Sequence, residues 1–303
     1  MSAKSLRQKY MREFSGMEKY TRMSSWIILA GYFLQYAAAV AVGTYLLGLD
    51  NLWVMIPGLF MVLLFLGTRM RALNNIVHEC SHSTFSVVRE DNARIGSICS
   101  AVLFGSFKDY RDEHLTHHAH VGDYEQDLDL QGIEDLRLHD PLTPRVILRH
   151  IVTPLIGRHL PYYLSINLSD RDGAVYQALK FAVIIGTGMA MFFAPLSALL
   201  FILVPFFIVY STLNYWADCM DHAGLVPTDD DLYASRNILA PKLLRWIFFP
   251  RNDCYHLVHH LFPQVPARHL PVTHDALMSD DMYSAQSNAV RAIDQKKGIV
   301  PAE

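Results

Sequence analysis

Histidines in this chain of 303 residues could form a metal centre. There are 15 of them, and eight fall in the short clusters HECSH, HLTHH and HLVHH. The clustered histidines are His78, His82, His114, His117, His118, His256, His259 and His260. Residues three or four apart share one face of a helix, so each cluster is expected to present its imidazoles in one direction. Imidazole binds iron, copper, zinc and nickel, so the clusters predict a metal site without choosing the metal.

The number of histidines indicates two metal ions. His222, just beyond the last long apolar segment, adds a ninth imidazole. A catalytic zinc takes three protein ligands and a structural zinc takes four. Nine ligands are therefore too many for one ion and suit two ions with four or five each. Packing so many imidazoles beside apolar segments without a metal would be costly.

Three more side chains are candidates for a ligand or for a partner of a ligand. Asp218 lies four residues before His222, and Asn252 lies four before His256. Each pair is expected to share a helical face. His120 follows the second cluster by two residues, so on a helix it points elsewhere and is the weaker candidate.

Nearby acidic residues have two interpretations. They could accept hydrogen bonds from the ligand rings and orient them, or they could be solvated loop residues. They are Asp123, Asp127, Asp129 and Asp221. Five isolated histidines are interpreted as structural, and they are His139, His150, His159, His269 and His274.

His78, Glu79 and His82 also match the zinc-protease motif HExxH, in which Glu79 would be the general base. That motif does not account for the other two clusters. A membrane zinc hydrolase is therefore the remote alternative from another class. A metal transporter or sensor is disfavoured because the apolar segments contain almost no ionisable residues.

The composition indicates that membrane helices position these clusters. The chain is 51% hydrophobic and 18% charged, against roughly 25% charged residues in soluble domains. Apolar segments long enough to cross a bilayer occur at about 25–49, 52–70, 176–193 and 196–215. We predict an all-α integral membrane protein with about four transmembrane helices in two hairpins. A cytoplasmic helical cap of residues 71–173 and 217–303 would hold the metal site, within a single domain of residues 1–303.

The charge distribution predicts the orientation. No Lys or Arg occurs in residues 23–68 or 181–235. By the positive-inside rule, both termini and the metal site face the cytoplasm of a multi-pass protein. A cleaved signal peptide is disfavoured because the charged region before the first apolar segment is too long. The net charge of −3 gives no indication of nucleic-acid binding.

Shorter segments complete the sequence-based description. Residues 95–107 are apolar but too short to span, so they predict a re-entrant or buried piece. Residues 144–168 and 241–250 mix cationic and apolar side chains and suit helices at the membrane interface. Cys80, Cys99, Cys219 and Cys254 lack CxxC spacing and are interpreted as reduced thiols.

Over about residues 68–274 the chain resembles the membrane-bound fatty acid desaturase and hydroxylase superfamily. The resemblance rests on HECSHSTF, HLTHHAHVGDYEQDLDL and NDCYHLVHHLFPQVPARHLP. It implies two non-haem iron ions that activate dioxygen, with His222 as an additional ligand. The expected activity is desaturation of a fatty acyl chain. The alternative is hydroxylation or monooxygenation of a lipid or another small substrate, because desaturases and hydroxylases of this superfamily share the histidine clusters.

The resemblance also implies a separate electron donor of the ferredoxin, rubredoxin or cytochrome type. No electron-transfer motif is found in the chain. The basic N-terminal residues Lys4, Arg7, Lys9 and Arg12 could dock such a carrier. They are interpreted first as topology signals or as contacts to anionic lipid.

Overall fold

The computed structural model describes residues 2–164, 166–228 and 230–293, and within these residues the regular structure is helical. Residue 1 and residues 294–303, the ends of the predicted domain, lie outside the described residues. The first nine helices are α1 Ala3–Phe14, α2 Arg22–Leu47, α3 Leu52–Ser81, α4 Arg89–Val102, α5 Phe107–His120, α6 Pro144–Leu155, α7 Leu160–Tyr163, α8 Ala174–Phe193 and α9 Pro195–His222. Five follow: α10 Asp231–Ala234, α11 Lys242–Phe248, α12 His256–Leu261, α13 Leu270–Leu277 and α14 Asp281–Ile293. Short 3-10 turns lie at Glu134–Leu136, Pro250–Asn252 and Ala267–His269.

Four helices are long and apolar enough to cross a membrane: α2, α3, α8 and α9. They coincide with the four predicted segments, which confirms an all-helical membrane protein. Two of the predicted segments end too early in the sequence. α3 runs to Ser81 rather than stopping near 70, and α9 runs to His222 rather than 215. The polar residues there continue the helix instead of ending it, so two spanning helices extend directly into the metal site.

Local sequence signals set where these helices begin. The side chain of Asn51 accepts a hydrogen bond from the backbone N–H of Trp53 and caps α3. Ser106 caps α5 by accepting from the N–H of Asp109. The carboxylate of Asp172 accepts from the N–H groups of Phe107 and Lys108, at 2.7 and 3.0 Å. The helix that carries the second histidine cluster is thus fixed at its N-terminus.

α9 is irregular in the middle of its span. It contains two π-helical stretches, Leu199–Leu203 and Pro205–Tyr210. Pro205 has no N–H to donate to the carbonyl of Phe201 four residues earlier. The hydroxyl of Tyr36 on α2 donates to that carbonyl at 2.5 Å. The polar group freed by the proline is therefore satisfied by a neighbouring helix, as the bilayer interior requires.

Close packing joins α3 to α9. A Cβ built on Gly67 would lie 2.3 Å from a side-chain atom of Val209, so only glycine permits this approach. Leu66 and Phe201 are fully buried in the same region. The two helices that end in candidate metal ligands are therefore fixed against each other well inside the membrane region.

The shorter segments behave largely as predicted. The apolar part of 95–107 lies on α4, where Ile95 and Cys99 are completely buried in a cluster with α3. α6 exposes Leu148 and Leu155, as expected of an interfacial helix, but it ends at Leu155 rather than continuing to 168. All four cysteines are free and buried, which agrees with the interpretation as reduced thiols.

Candidate metal centre

The structure brings the nine predicted histidines into two groups. The first group is His78, His82, His114, His118 and His259, and the second is His117, His222, His256 and His260. Within each group, one ring nitrogen per residue lies within 4.8 Å of the others. α3 with its C-terminal cap His82, α5, α9 and α12 supply these rings, so segments from both halves of the chain meet here. A group of five and a group of four match the expected count for two metal ions.

The prediction that each cluster faces one way is wrong for the second and third clusters. His114 and His118 belong to the first group, whereas His117 belongs to the second. His256 and His260 belong to the second group, whereas His259 belongs to the first. On an α-helix a step of four residues rotates a side chain by only about 40°, whereas neighbours differ by about 100°. Pairs four apart therefore stay together, and the histidine between them reaches the other group.

The distances between ring nitrogens fit metal coordination. In the first group, Nε2 of His259 lies 2.8 Å from Nε2 of His78 and 2.9 Å from that of His118. In the second group, Nε2 of His256 lies 2.9 Å from that of His222 and 3.0 Å from that of His260. Ligands about 2.1 Å from one ion are about 3.0 Å apart at right angles and about 3.4 Å apart in a tetrahedron. Nitrogens this close together can therefore bind a common metal ion.

Hydrogen bonding alone does not satisfy these rings. Two neutral imidazoles can share one proton, but several nitrogens converging on one point cannot all find donors. Nε2 of His82 is buried and has no hydrogen-bond partner among the described residues. A cation at the centre of each group would supply a common partner for these nitrogens, so the donor set fits a metal cofactor.

Burial keeps most of these imidazoles neutral. It lowers their pKa values well below the ordinary range, and neighbouring rings lower them further. This holds for His82, His114, His118, His256, His259 and His260. A neutral ring has a lone pair for a metal, so burial prepares these side chains as ligands.

Three rings are oriented by acceptors at Nδ1. Nδ1 of His117 lies 2.8 Å from Asp127, and Nδ1 of His114 lies 3.0 Å from Asp129. Nδ1 of His222 lies 2.9 Å from the carbonyl oxygen of Ala234, a partner that no sequence pattern indicates. When Nδ1 donates to such an acceptor, the Nε2 lone pair is left for the metal.

The pKa of His117 is affected by its partner. Burial lowers this pKa, but the hydrogen bond to Asp127 and the charge of that carboxylate outweigh burial, and the net pKa is raised. Asp127 is fully buried, and it also accepts from the N–H of Gly122 at 3.0 Å. This aspartate therefore fits the role of an orienting partner rather than that of a solvated acid.

The other two acidic candidates, Asp123 and Asp221, form no hydrogen bond to a ligand ring among the described residues. Asp123 accepts from the backbone N–H of Glu125 at 2.9 Å and from the Gln126 side chain, so it stabilises its own turn. Asp221 lies 3.7 Å from Nδ1 of His256, which is too long for a hydrogen bond. Of the four predicted acidic partners, the structure places Asp127 and Asp129 in contact with ligand rings.

The three weaker candidates lie outside both groups. The Asp218 carboxylate accepts a hydrogen bond from the hydroxyl of Tyr163 at 2.7 Å. Asn252 does not share a helical face with His256, because it has a φ of 62° in a 3-10 turn and α12 begins only at His256. Its amide donates to the carbonyl of Ala267 at 3.0 Å. His120 is exposed at the end of α5.

Glu79, the general base of the HExxH alternative, is buried in an ion pair. Both of its oxygens accept from the guanidinium of Arg251, which precedes the third cluster. The side chains of Glu79 and Arg251 are 5% and 7% exposed. The pair joins the end of α3 to the segment before α12, so this carboxylate connects two parts of the metal centre.

The isolated histidines have ordinary partners. Nδ1 of His150 lies 2.6 Å from the hydroxyl of Tyr215, and Nδ1 of His274 lies 2.6 Å from that of Tyr283. His159 contacts the hydroxyl of Ser211 at 3.1 Å. Of the remaining two, His139 contacts the hydroxyl of Tyr124, and His269 contacts the carbonyl of Glu18. None of the five belongs to either ligand group described here, in line with their interpretation as structural.

Two of the basic N-terminal residues are engaged within the protein. Arg7 donates to the carbonyls of His260 and Leu261, at 2.9 and 3.0 Å, and pairs with Asp231. Lys9 pairs with Asp280 at 2.6 Å. The last carbonyls of a helix lack donors within it, so Arg7 completes the C-terminus of α12. α1 thus supports the third histidine cluster.

A family model for fatty acid desaturases matches residues 51–288 of this chain. The chain belongs to the fatty acid desaturase family. The matched region contains all nine histidines of the two groups. Membership makes the protein a membrane oxidoreductase with a metal site and counts against the zinc hydrolase alternative.

Curated members of the desaturase family are distant relatives. The chain is 26% identical over 242 residues to dihydrorhizobitoxine desaturase of Bradyrhizobium elkanii, covering 74% of this chain and 69% of the relative. It is 25% identical over 273 residues to probable fatty acid desaturase DES1 of Sorghum bicolor, covering 82% and 69%. It is 23% identical over 228 residues to a fatty acid desaturase of Bacillus subtilis (strain 168), covering 66% and 62%.

Proposed function

We propose that this desaturase holds two iron ions and uses dioxygen, with electrons from a separate donor, to introduce a double bond into a fatty acyl chain. The observation that carries the proposal is the division of nine imidazoles into one group of five and one of four. When bound, the iron pair supplies a centre able to reduce dioxygen and to break unactivated C–H bonds. Iron is favoured over zinc because the chain belongs to the fatty acid desaturase family, and the resemblance to this family implies a di-iron centre.

The residues of this region would bind the metal ions, orient the ligand rings and exclude water. The nine imidazoles provide the ligand nitrogens, and Asp127, Asp129 and the carbonyl of Ala234 fix three of the rings. Tyr110 stacks on His114 with ring centres 5.4 Å apart. Most of the nine imidazoles are buried between α3, α5, α9 and α12, which limits the access of bulk water to the site.

An apolar cavity supplies a path for the chain of the substrate. Its volume is about 520 Å³, and it lies between α2, α3, α4, α8 and α9. Leu103 and Phe206 line both this cavity and a second, polar one of about 160 Å³. The second cavity reaches Tyr110, whose ring contacts His114. A hydrocarbon chain in the apolar cavity would thus approach the first ligand group.

The topology belongs to the same proposal. α2 with α3 and α8 with α9 form two membrane hairpins, and the remaining helices form a cap on the cytoplasmic side within a single domain. The absence of Lys and Arg from residues 23–68 and 181–235 supports this orientation. Both termini and the metal centre then face the cytoplasm, where a ferredoxin, rubredoxin or cytochrome would deliver electrons.

Metal analysis combined with product analysis tests the proposal. Protein purified in detergent from iron-supplemented cells should contain about two iron ions per chain. With a reduced donor, dioxygen and acyl lipid, gas chromatography and mass spectrometry should show products lighter by two hydrogens. A product heavier by one oxygen would identify the hydroxylase alternative. One zinc and no oxygen consumption would refute the proposed centre.

A further inference from the structure

The apolar cavity between the membrane helices contains a positive charge. Among the described residues that line it, Arg69 is the charged one, and most of the others are apolar or aromatic. Arg69 lies on α3 at the end of the predicted span and is 2% exposed. A charged side chain that is buried without an opposite charge is costly.

Neutral groups surround the Arg69 guanidinium. Nη1 donates to the side-chain oxygen of Gln35 at 2.9 Å, and Nη2 donates to the carbonyl of Trp246 at 3.2 Å. The rings of Phe65 and Trp246 lie 4.6 and 4.7 Å from its central carbon. Nε is buried without a hydrogen-bond partner among the described residues. These contacts hold the group in place, but none of them supplies a negative charge.

Arg71, two residues further along α3, shows what such a charge normally receives. It is 5% exposed, pairs with the carboxylate of Asp253 and donates to Asn214 at 2.9 Å. No described carboxylate makes an ion pair with Arg69. The chain therefore neutralises one of two neighbouring buried arginines and leaves the other without an internal anion, although an unpaired buried charge is strongly unfavourable.

We infer that Arg69 binds the oxyanion of an amphiphilic ligand whose apolar chain fills the cavity. The oxyanion is the carboxylate of a free fatty acid or the phosphate of a lipid, since a guanidinium recognises both through paired N–H groups. The identification of this ligand as the substrate rests on the proposed function. The binding of the ligand does not depend on that function. The inference therefore specifies the substrate class as an amphiphile with an anionic end.

The second cavity also favours a ligand whose anionic end lies at Arg69. It is lined by Asp109, which forms an ion pair with Arg171, and by Glu113, and no Lys or Arg is found among its described lining residues. An anionic end would find no cation among the described lining residues of that cavity, whereas Arg69 would attract it. His78 lies nine residues after Arg69 on the same helix, about 13.5 Å along its axis. The ligand would thus present the interior of its chain, and not the carbons beside the anion, to the metal centre.

Equilibrium binding to the full-length protein in detergent tests the inference. The probes are palmitate and its uncharged analogue hexadecanol. The wild-type protein should bind palmitate about tenfold more tightly, the effect of one charge-assisted hydrogen bond in a buried site. Arg69→Gln should abolish this preference, and Arg69→Lys should keep part of it. Thr187→Val, which changes an uncharged residue of the same cavity, should leave the preference unchanged.

Competition identifies the source of the oxyanion. The competitors are dipalmitoyl phosphatidic acid and additional palmitate. If phosphatidic acid displaces bound palmitate more effectively, the oxyanion is a lipid phosphate. If additional palmitate is the more effective competitor, the oxyanion is a free carboxylate. Equal binding of palmitate and hexadecanol by the wild-type protein overturns the inference, even if Arg69→Gln does not fold. So does an unchanged preference in folded Arg69→Gln.

A histidine variant separates this result from that of the metal centre. His114→Ala should lose desaturation and about one of the two iron ions while retaining the preference for palmitate. If iron is present and the preference is absent, only the anion site is refuted. If the preference is present in a protein that never binds iron, only the proposed centre is refuted.

Discussion

His259 and His260 are adjacent in the chain, yet their rings belong to different ligand groups. Nε2 of His259 lies 2.8 Å from that of His78, whereas Nε2 of His260 lies 3.0 Å from that of His256. Neighbours on a helix point about 100° apart, so one short helix can serve two sites. α12 therefore lies between the two groups, with ligands for each.

Single substitutions in α12 should remove one metal ion each. His259→Ala takes a ligand from the group of five, and His260→Ala takes one from the group of four. We expect the iron content to fall from about two to about one per chain in each variant, and desaturation to be lost in both. Elemental analysis by mass spectrometry measures the iron. The double variant should hold almost none, and His139→Ala, outside the centre, should hold the wild-type amount. A double variant that loses no more iron than either single variant would argue against two separate sites.

Asp127→Asn should weaken metal binding without removing a ligand. The carboxylate orients His117, and loss of such a partner typically costs 10–100-fold in metal affinity, so we expect about that effect. Competition with a calibrated chelator measures the affinity. Asp123→Asn is the matched control, because Asp123 stabilises only its own turn and should retain the wild-type affinity. Equal affinities in the two variants would show that Asp127 does not orient the ligand.

The ion pair of Glu79 and Arg251 should be more important for stability than for chemistry. Glu79→Gln or Arg251→Met leaves one buried group without its partner, which typically lowers the free energy of unfolding by about 3–5 kcal/mol. The double variant should lose much less than the sum of the two single losses. Denaturant unfolding in detergent, followed by circular dichroism, gives the three values. Additive losses would mean that the two side chains do not act as a pair. A stable Glu79→Gln protein without activity would instead favour a chemical role for Glu79.

Gly67→Ala should separate α3 from α9. The new methyl group would overlap the side chain of Val209, and overpacking of this kind costs about 1–3 kcal/mol. Thermal unfolding in detergent should show a lower midpoint together with a loss of bound iron. Gly31→Ala on α2 is the control, because nothing lies within 4 Å of its added Cβ. If both variants unfold at the wild-type temperature, the contact at Gly67 is not required for stability.

Removal of the metal should destabilise the whole protein. A metal that binds the folded state more tightly than the unfolded chain adds to the stability of the fold. Without it, the buried ring nitrogens lose their common partner, including Nε2 of His82. Dialysis against a chelator should therefore lower the unfolding midpoint, and returning ferrous iron should restore it. An apoprotein with the wild-type midpoint would contradict this.

The sequence alone identified the candidate ligands, the membrane helices and the family resemblance. Histidine spacing and hydropathy are local properties, so the nine candidate ligands and the four apolar segments could be identified directly. The predicted bounds of α8 agree with the structure within two residues. The ends of α3 and α9 were missed because the polar residues beyond each apolar segment continue the same helix. Asn252 was placed on a helix by its spacing, but a positive φ ends that regularity.

Only the tertiary structure decided how the ligands are shared. Whether His117 joins His114 or His222 depends on how α5 and α9 cross, and no short-range pattern encodes that angle. The pairing of Glu79 with Arg251 joins residues 172 positions apart, which pattern reading cannot connect. The same is true of Arg69 and Arg71, which look alike in the sequence. They differ because the folded chain brings Asp253 to one and an apolar cavity to the other.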